Sequence, residues 1–354
     1  CTVASELLGR EVNSGGDSLH FKEELALFKG KSAHQEFVEK YIEDAIELNR
    51  LLRADVVRQT WRSKEIPTKQ LDDYTLLFEK PNGTYKIKRF FPEYQSYGVL
   101  EDTTGYKDVD HLAEDLKKQM SKDINVSDET LEEIYKDQLD FKKKADPYFP
   151  TIAGAAGLAI PMYDTVWLEA SILYADLLAD YFMYRAEIYV YHIRWLAKKG
   201  FKWINGGGDL ASKQGPVYSP ESFKYILSKP YKKIIDECKK HSIIYCFRSD
   251  GNLWSLLDCM VNEMGLEALG EVDREASMTV GGIRKKYPKL IILGNINSAT
   301  LCTGTEEEVR IETINGLVES QGINYIPGPS NAIVHGTPVE NIYAMIDEIE
   351  KYKP

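Results

Sequence analysis

The second part of the chain alternates short apolar runs with amphipathic helices, and this alternation constrains the fold more than any other feature. From residue 151 onward there are six apolar runs, and predicted helices follow most of them. Such alternation is typical of a parallel β-sheet. The six runs are Thr151 to Ile160, Phe201 to Ile204, Ile243 to Phe247, Ala268 to Val272, Leu290 to Gly294 and Ile323 to Ile326.

An earlier segment, Ala54 to Gln59, supplies a seventh predicted strand, and we expect an eighth near Asn13 to Phe21. Eight strand–helix units form a closed (β/α)8 TIM barrel. The alternative is an open doubly wound sheet, which usually has a glycine-rich phosphate-binding turn early in the chain. The sequence has no such turn, so the predicted fold is an α/β barrel.

The first 150 residues are polar and irregular, and we expect them to add elements outside the central core. Apolar residues at helical spacing predict a helix over Ser32 to Arg53. Asn82-Gly83 lies between two β-prone runs, Thr75 to Phe78 and Thr84 to Phe90, which is a good signal for a β-hairpin. The charged run from Asp108 to Lys144 predicts helices.

These signals predict one barrel domain over residues 1–354. Within it, residues 63–148 form a polar excursion of a hairpin and helices, which is a candidate lid. The chain begins inside a predicted helix, Thr2 to Leu8, so we expect native residues before Cys1.

Composition excludes some classes of protein. The 354 residues include 44 Lys and Arg against 55 Asp and Glu, a formal net charge of −11. This balance argues against a protein that wraps nucleic acid or binds an anionic membrane. The five cysteines form no close C-x-x-C pair, which predicts a reduced, cytoplasmic protein. Six charged residues interrupt the most apolar stretch, Leu168 to Leu196, and exclude a membrane span there.

In a (β/α)8 barrel, functional residues lie at the carboxyl ends of the strands and in the loops that follow. Many polar side chains occupy these positions, and we predict that they converge on one end of the barrel. The candidate catalytic residues are Arg248, Asp250 and Asp209. The candidate substrate-binding residues are Arg58, Trp61, Arg62, Tyr163, Asn205, Asp273, Asn297 and Asn331.

Each candidate also has a structural interpretation. Arg248 and Asp250 have the same parity along one strand end, so they form either an anion clamp with an acid–base carboxylate or a structural ion pair. Asp209 follows three glycines and is either a ligand contact or a cap in a tight loop. Trp61 and Arg62 either close the pocket or cover the surface of the barrel.

Several segments of the second part match a known family in order and spacing. They are Gly208-Asp209-Leu210-Ala211, Ser219-Pro220-Glu221-Ser222-Phe223, Ser249-Asp250-Gly251-Asn252, Ile291-Ile292-Leu293-Gly294-Asn295-Ile296-Asn297, Gly304-Thr305-Glu306-Glu307 and Pro327-Gly328-Pro329. From about residue 150 to its end the chain resembles the uroporphyrinogen decarboxylase superfamily. This superfamily includes porphyrinogen decarboxylases and the zinc methyltransferases that serve corrinoid proteins, and the resemblance implies a TIM barrel.

The sequence departs from the decarboxylase subgroup near its amino terminus. That subgroup has an arginine-rich segment, similar to R-Q-A-G-R-Y, whose arginines grip the substrate's carboxylates. Arg58-Gln59-Thr60-Trp61-Arg62 is only vaguely similar and follows the strand in which Asp55 occupies the subgroup's Asp position. The resemblance therefore favours a reaction other than porphyrinogen decarboxylation.

The sequence also departs from the zinc methyltransferases. Their metal is held by His-x-Cys after the fifth strand and by Cys after the eighth, and the corresponding positions here are Arg248, Asp250 and Ser330. The resemblance thus implies that the family zinc site is absent. A metal held by carboxylates, such as those of Asp209, Asp250 or Asp273, remains an open alternative.

The leading hypothesis is a methyltransferase that resembles the substrate-side component of corrinoid-dependent O-demethylation. It would move a methyl group from a small donor, such as a methoxylated aromatic, to the cobalamin-type corrinoid of a partner protein, with no tightly bound cofactor of its own. In this hypothesis Arg248 stabilises negative charge, Asp250 or Asp209 transfers a proton, and Tyr163 and Trp61 flank the ring.

Two alternatives remain. The first is a decarboxylase-like lyase in which Arg58, Arg62 and Arg248 hold the carboxylates of the substrate and Asp55 or Asp250 steers the proton. The second is a non-catalytic barrel that binds a tetrapyrrole or corrinoid. Gathering of the three arginines at one barrel mouth would indicate a ligand that is anionic or becomes so. A homodimer is also left open.

Overall fold

A computed structural model describes residues 2–62 and 64–353, which divide into two units. The N-terminal unit comprises residues up to Gly105 together with Asp137–Pro150 and Ala332–Val339. The barrel unit comprises Tyr106–Lys136, Thr151–Asn331 and the residues from Glu340 onward.

The N-terminal unit combines helices with a small antiparallel sheet. Its helices include α1 (Thr2–Leu8), α2 (Asp17–Lys29) and α3 (Lys31–Leu51). The strand β1 (Val57–Arg58) follows, and then β2 (Lys69–Asp72), β3 (Thr75–Glu79), β4 (Tyr85–Phe91) and β5 (Ser96–Asp102) pair as a meander in the order β2-β3-β4-β5.

Two apolar clusters hold this unit together. α3 contributes Phe37, Tyr41 and Ala45, which recur at helical spacing, to a core that also contains Phe141. A second cluster stacks Phe21 of α2 on Phe90 of β4, with ring centroids 4.9 Å apart. Helix and sheet therefore bury each other's apolar faces.

Predictions for this region had mixed outcomes. The helix over residues 32–53 and the hairpin around Asn82-Gly83 are confirmed. The strand predicted near Asn13 to Phe21 is wrong, because α2 begins at Asp17. Of the strand predicted over Ala54 to Gln59, only Val57–Arg58 is extended.

The barrel unit contains a parallel sheet built from the six apolar runs. Its strands are ordered β6-β7-β10-β11-β12-β13, and every pair is parallel. The strands are β6 (Thr151–Gly154), β7 (Trp203–Gly207), β10 (Ile244–Arg248), β11 (Ala268–Val272), β12 (Ile291–Ile296) and β13 (Tyr325–Pro329). A short hairpin of β8 (Ala211–Ser212) and β9 (Gly215–Pro216) follows β7.

The barrel unit also contains helices, most of which lie between successive strands of this sheet. They are α4 (Val109–Met120), α5 (Asp128–Ala145, which continues into the N-terminal unit), α6 (Thr165–Leu173), α7 (Ala175–Lys198), α8 (Pro220–Phe223), α9 (Lys229–Lys240), α10 (Val280–Lys286), α11 (Ser298–Thr303), α12 (Glu306–Ser320) and α13 (Val339–Lys351). Short π-helical turns cover Lys224–Ser228 and Cys259–Glu263, and a 3₁₀ turn covers Arg274–Ala276. The predicted α/β barrel class with additional N-terminal elements is confirmed.

The two faces of the central strand β10 have different neighbours. Tyr245 and Phe247 are fully buried and pack on Tyr231 of α9, with 4.9 Å between the Tyr231 and Phe247 ring centroids. Cys246 and Arg248 lie on the opposite face, over Gly270 of β11. The helices therefore cover one face of the sheet, and the other face carries Arg248.

No helix among the described residues combines the length and apolar character needed to cross a membrane. The cysteines at 238, 246, 259 and 302 are free thiols, and Cys238 and Cys246 are buried.

Candidate functional site

Three of the predicted site carboxylates follow adjacent or nearby strands of the barrel unit. Asp209 follows β7, Asp250 follows β10 and Asp273 follows β11. They influence each other electrostatically, because the charge of Asp209 acts on Asp250 and the charge of Asp250 acts on Asp273. The structure thus brings these three predicted residues into one region.

The carboxyl group of the catalytic candidate Asp250 is perturbed by its surroundings. Burial raises the pKa of its carboxyl above the usual value, and the negative charge of Asp209 raises it further. Asn331 donates a hydrogen bond from Nδ2 to Asp250 Oδ2 over 2.9 Å, which partly offsets this rise. Asp250 is therefore a fixed carboxyl group that keeps its proton to higher pH than an exposed aspartate does.

The loop that carries Asp250 is anchored by the buried residue Ser249. The Ser249 hydroxyl accepts a hydrogen bond from the backbone N–H of Leu210 over 3.1 Å and lies 3.1 Å from the Asp250 carbonyl oxygen. Gly207 has φ +97, and a Cβ there would lie 2.5 Å from the Arg248 carbonyl oxygen. Gly207, two residues before Asp209, thus serves close packing of β7 on β10.

Arg248 forms an ion pair with Glu271, a residue that the sequence reasoning did not select. Glu271 lies in β11 with φ +63, where the pairing of β11 with β12 shifts register between Leu269 and Val272. A side chain at Gly270 would place Cβ 3.2 Å from Arg248 Cγ. A bulge in β11 and a glycine therefore position the carboxylate that faces the guanidinium.

Strand parity explains why Glu271 was missed. In a regular strand, Glu271 and Gly270 would point to opposite faces, and Glu271 would not be expected to meet Arg248. The bulge disrupts this alternation, and Gly270 was the one sequence feature that could have suggested it.

Asp273 begins a small polar network. Burial raises the pKa of Asp273, and the nearby charges of Glu275 and Asp250 raise it further. Its side chain caps the 3₁₀ turn by accepting the Glu275 N–H over 2.9 Å. Asn297 Nδ2 donates to Glu275 over 2.6 Å, and Lys213 forms an ion pair with the same carboxylate. Two predicted residues, Asp273 and Asn297, are thus linked through Glu275, which was not predicted.

The remaining candidates in the barrel unit differ in accessibility. Asn205 lies on β7 opposite Cys246 and accepts a 2.7 Å hydrogen bond from Trp203 Nε1. Ser330 is buried, and its N–H donates to the Ile296 carbonyl oxygen. Tyr163 is 89% exposed. Of these, only Asn205 has a side-chain contact that fixes its orientation on the sheet.

The candidates in the N-terminal unit fall into two groups. Trp61 is 70% exposed and packs against the His20 ring at 4.7 Å, and Arg58 is also exposed. The Arg62 side chain is 1% exposed and forms an ion pair with Asp137 at 2.5 Å. It also lies 3.4 Å from Glu23 Oε1, so the Arg62 charge is compensated within this unit.

The positions that correspond to the family zinc ligands are an arginine, an aspartate and a serine, and each makes other contacts or is buried. Arg248 is paired with Glu271, Asp250 accepts from Asn331, and Ser330 is buried. Among the described residues, no group of three or more His, Cys, Asp or Glu side chains is arranged to hold a metal ion.

Comparison with known proteins identifies a family and structures of similar fold. The family model described as uroporphyrinogen decarboxylase (URO-D) matches residues 153–352, which is more than half of the chain. The structure is similar to that of a methyltransferase from Methanosarcina mazei, with a TM-score of 0.63, 17% identity, and coverage of 99% of this chain and 97% of that chain.

A B12-independent methionine synthase from Shewanella sp. W3-18-1 matches with a TM-score of 0.43 and 12% identity, covering 90% of this chain and 89% of that chain. Comparison with curated protein sequences gives no significant match.

Proposed function

The chain belongs to the uroporphyrinogen decarboxylase family, and from this premise we propose that it is a methyltransferase acting with a corrinoid protein. The methyl donor is a small methylated compound such as a methoxylated aromatic. The methyl group passes to the cobalt of the partner's corrinoid, and the demethylated oxygen leaves with the bonding electron pair. The similarity in fold to the Methanosarcina mazei methyltransferase is consistent with this proposal.

The observation that carries the proposal is the environment of Asp250. When a methyl–oxygen bond breaks, the departing oxygen gains negative charge, and a positioned acid that donates a proton lowers the barrier. A carboxyl group whose pKa is raised by burial and by a neighbouring carboxylate is suited to this role, because it remains protonated nearer to neutral pH. Asp209 supplies that neighbouring charge, and Asn331 fixes the orientation of the carboxyl.

The departing oxygen also needs a positive charge that stabilises it, and Arg248 is proposed to supply that charge. Its guanidinium is fixed by Glu271 on the sheet face opposite the helices, so it presents a pre-oriented positive charge. Asn205 and Asn297 are the proposed polar contacts to the donor, together with Asp273. Tyr163 is proposed to contact an aromatic donor, and its high exposure leaves the ring accessible.

The pairing of the arginines supports methyl transfer over decarboxylation of a polycarboxylate. Such a substrate needs several cations that are free to bind carboxylates. Arg62 is already engaged by Glu23 and Asp137, and Arg248 is engaged by Glu271. A lyase would have to break these pairs, whereas stabilising a single developing charge does not.

The test is methyl transfer to cob(I)alamin from a panel of methoxylated aromatics. We expect methylcobalamin to form, and we expect Asp250→Asn to slow its formation by about 100-fold or more. Asp258→Asn is the matched control, because Asp258 binds Lys286 and Tyr287 away from these strand ends. Equal rates in the two variants would remove Asp250 from the mechanism.

Other outcomes would replace the proposal altogether. No cobalt alkylation with any donor, combined with release of carbon dioxide from uroporphyrinogen, would establish the lyase. Tight tetrapyrrole binding that survives Arg248→Ala and Asp250→Ala without any turnover would establish a binding protein.

A further inference from the structure

A groove on the helical surface of the barrel unit lies away from the strand ends described above. Two adjacent cavities of about 450 and 300 Å³ form it, and both are lined by Lys229 and Lys232 of α9. Since they share these residues, the two cavities are parts of one continuous depression. We call it the lysine groove.

The floor of the lysine groove is apolar. Met183, Val190 and Tyr191 line it from α7, and Ile124 lines it from the segment before α5. Tyr191 donates a 2.6 Å hydrogen bond to Asn125, which holds that segment beside α7. The groove therefore offers apolar contact area along its base.

The rim of the groove is cationic, in contrast to the chain as a whole. Six cationic side chains line it against four carboxylates, an excess of two positive charges on a chain of net charge −11. The cations are Arg194, Lys224, Lys229, Lys232, Lys233 and Lys240.

Three rim cations, Lys224, Lys232 and Lys233, pair with exposed carboxylates that another carboxylate can replace. Lys232 pairs with Asp236 at 2.8 Å, but the two side chains are 53% and 45% exposed. Ion pairs this exposed contribute little, so an incoming carboxylate exchanges with them at small cost. Lys229, at the centre of the groove, has no acidic partner within 4 Å among the described residues.

The shape of the groove indicates the size of its occupant. Lys224 and Lys240 mark its ends and are sixteen residues apart along nearly continuous helix, which corresponds to about 24 Å. A small organic molecule normally fills an enclosed pocket, whereas an amphipathic helix lies in an open groove and places apolar anchors on its floor. Length, apolar floor and cationic rim together fit a helix with one acidic side and one apolar side.

We propose that the lysine groove binds an acidic amphipathic helical segment of a partner protein. The partner's apolar side chains contact the floor formed by α7, and its carboxylates pair with Lys229, Lys232 and Lys233. The negative charge over the rest of the chain directs such a segment to this surface and disfavours binding elsewhere. This interaction does not depend on the chemistry proposed for the strand ends.

The experiment uses the full chain and a fluorescent acidic amphipathic peptide of about 16 residues, the length that spans the groove. We expect saturable binding that weakens as salt concentration rises. The double variant Lys229→Glu/Lys233→Glu should weaken this binding at least tenfold. The control double variant Lys285→Glu/Lys286→Glu makes the same change of charge on α10 and should leave binding within twofold.

Four results would overturn the proposal. Equally tight binding of a scrambled peptide of identical composition would show that binding depends on charge alone and not on the amphipathic pattern of the helix. Displacement of the peptide by decanoate at comparable concentration would indicate a small anionic amphiphile as the occupant. Self-association of the chain that is abolished by Lys229→Glu/Lys233→Glu would assign the groove to a second copy. Absence of peptide binding would also refute it.

Discussion

At the scale of single residues, Arg62 shows how burial changes the meaning of a charged side chain. Sequence position suggested a group that grips substrate. In the structure its guanidinium lies 4.5 Å above the Tyr41 ring and beside Glu23, whose side chain is completely buried. Burial raises the pKa of Glu23, and the positive charge of Arg62 opposes that rise. Arg62 therefore compensates a buried carboxylate.

We predict that Arg62→Ala destabilises the protein by about 3–5 kcal/mol, because it removes the buried cation beside Glu23 and Asp137 and leaves them only the more exposed His34 and Lys64. Chemical denaturation measures this, and Lys29→Ala on the exposed end of α2 is the control, expected to change stability by less than about 0.5 kcal/mol. An Arg62→Ala protein with unchanged stability and a raised KM would instead identify a substrate contact.

At the scale of elements, the strands of the barrel unit were readable because each is a short apolar run between polar loops. β11 has the predicted bounds, and β10, β12 and β13 differ from theirs by a few residues at the ends. α2 was not readable, because it buries Glu23 and Glu24 and so lacks a clear apolar stripe. Tertiary ion pairs override the local pattern there.

The bulge in β11 is the element-scale feature that sequence could not provide. It leaves Glu271 at φ +63, a region that costs a residue with a Cβ about 1–2 kcal/mol and glycine almost nothing. Such strain persists only where the surrounding structure imposes it, and here it holds the ion pair with Arg248.

We predict that Glu271→Gly is more stable than Glu271→Ala by about 1 kcal/mol. Both variants lose the ion pair with Arg248, so their difference isolates the backbone cost. Urea denaturation measured in parallel provides the comparison. If the alanine variant is as stable as the glycine variant, the positive φ is not a source of strain.

At the scale of the whole molecule, the pKa values of acidic side chains shift in opposite directions in different places. Burial and neighbouring carboxylates raise the pKa values of Asp250 and Asp273 at the strand ends. On the outer helix α9, burial would raise the pKa of Glu237, but hydrogen bonds from Arg194 and Lys240 outweigh it and lower the pKa to about 2. The region that was predicted to gather cations therefore contains carboxylates whose ionisation is unfavourable.

This arrangement also explains how much of the site could be predicted. Asp209, Asp250 and Asp273 were found because the barrel rule points to residues after strands. The compensation of the arginines could not be predicted, since Glu271 reaches Arg248 through a bulge and Glu23 reaches Arg62 across the fold of the N-terminal unit. The expectation of an anionic ligand relied on Arg58, Arg62 and Arg248 gathering at one barrel mouth. Both Arg62 and Arg248 have carboxylate partners.

The two kinds of carboxylate predict opposite dependences of stability on pH. The raised pKa of Asp250 means that its ionisation costs stability as pH rises through that value, so Asp250→Asn should raise the melting temperature at neutral pH. The gain in melting temperature of the Asp250→Asn variant should shrink as pH falls towards 3.8, the ordinary pKa of an aspartate. Glu237 stabilises the fold above its ordinary pKa of 4.5, and that stabilisation declines as pH falls below 4.5 and is lost once pH has fallen through about 2.

Glu237→Gln should therefore lower the melting temperature at neutral pH, with the deficit declining below 4.5 as the unfolded chain takes up its proton. Calorimetry of both variants and the wild type from neutral pH to about pH 4 measures whether the two substitutions shift the melting temperature in opposite directions. Destabilisation by Asp250→Asn at neutral pH would contradict the interpretation, because it would mean that the ionised carboxylate is favourable where it lies. Stabilisation, accompanied by slower methyl transfer in the proposed reaction, is the result expected if Asp250 has the proposed catalytic role, because catalytic groups often lower stability.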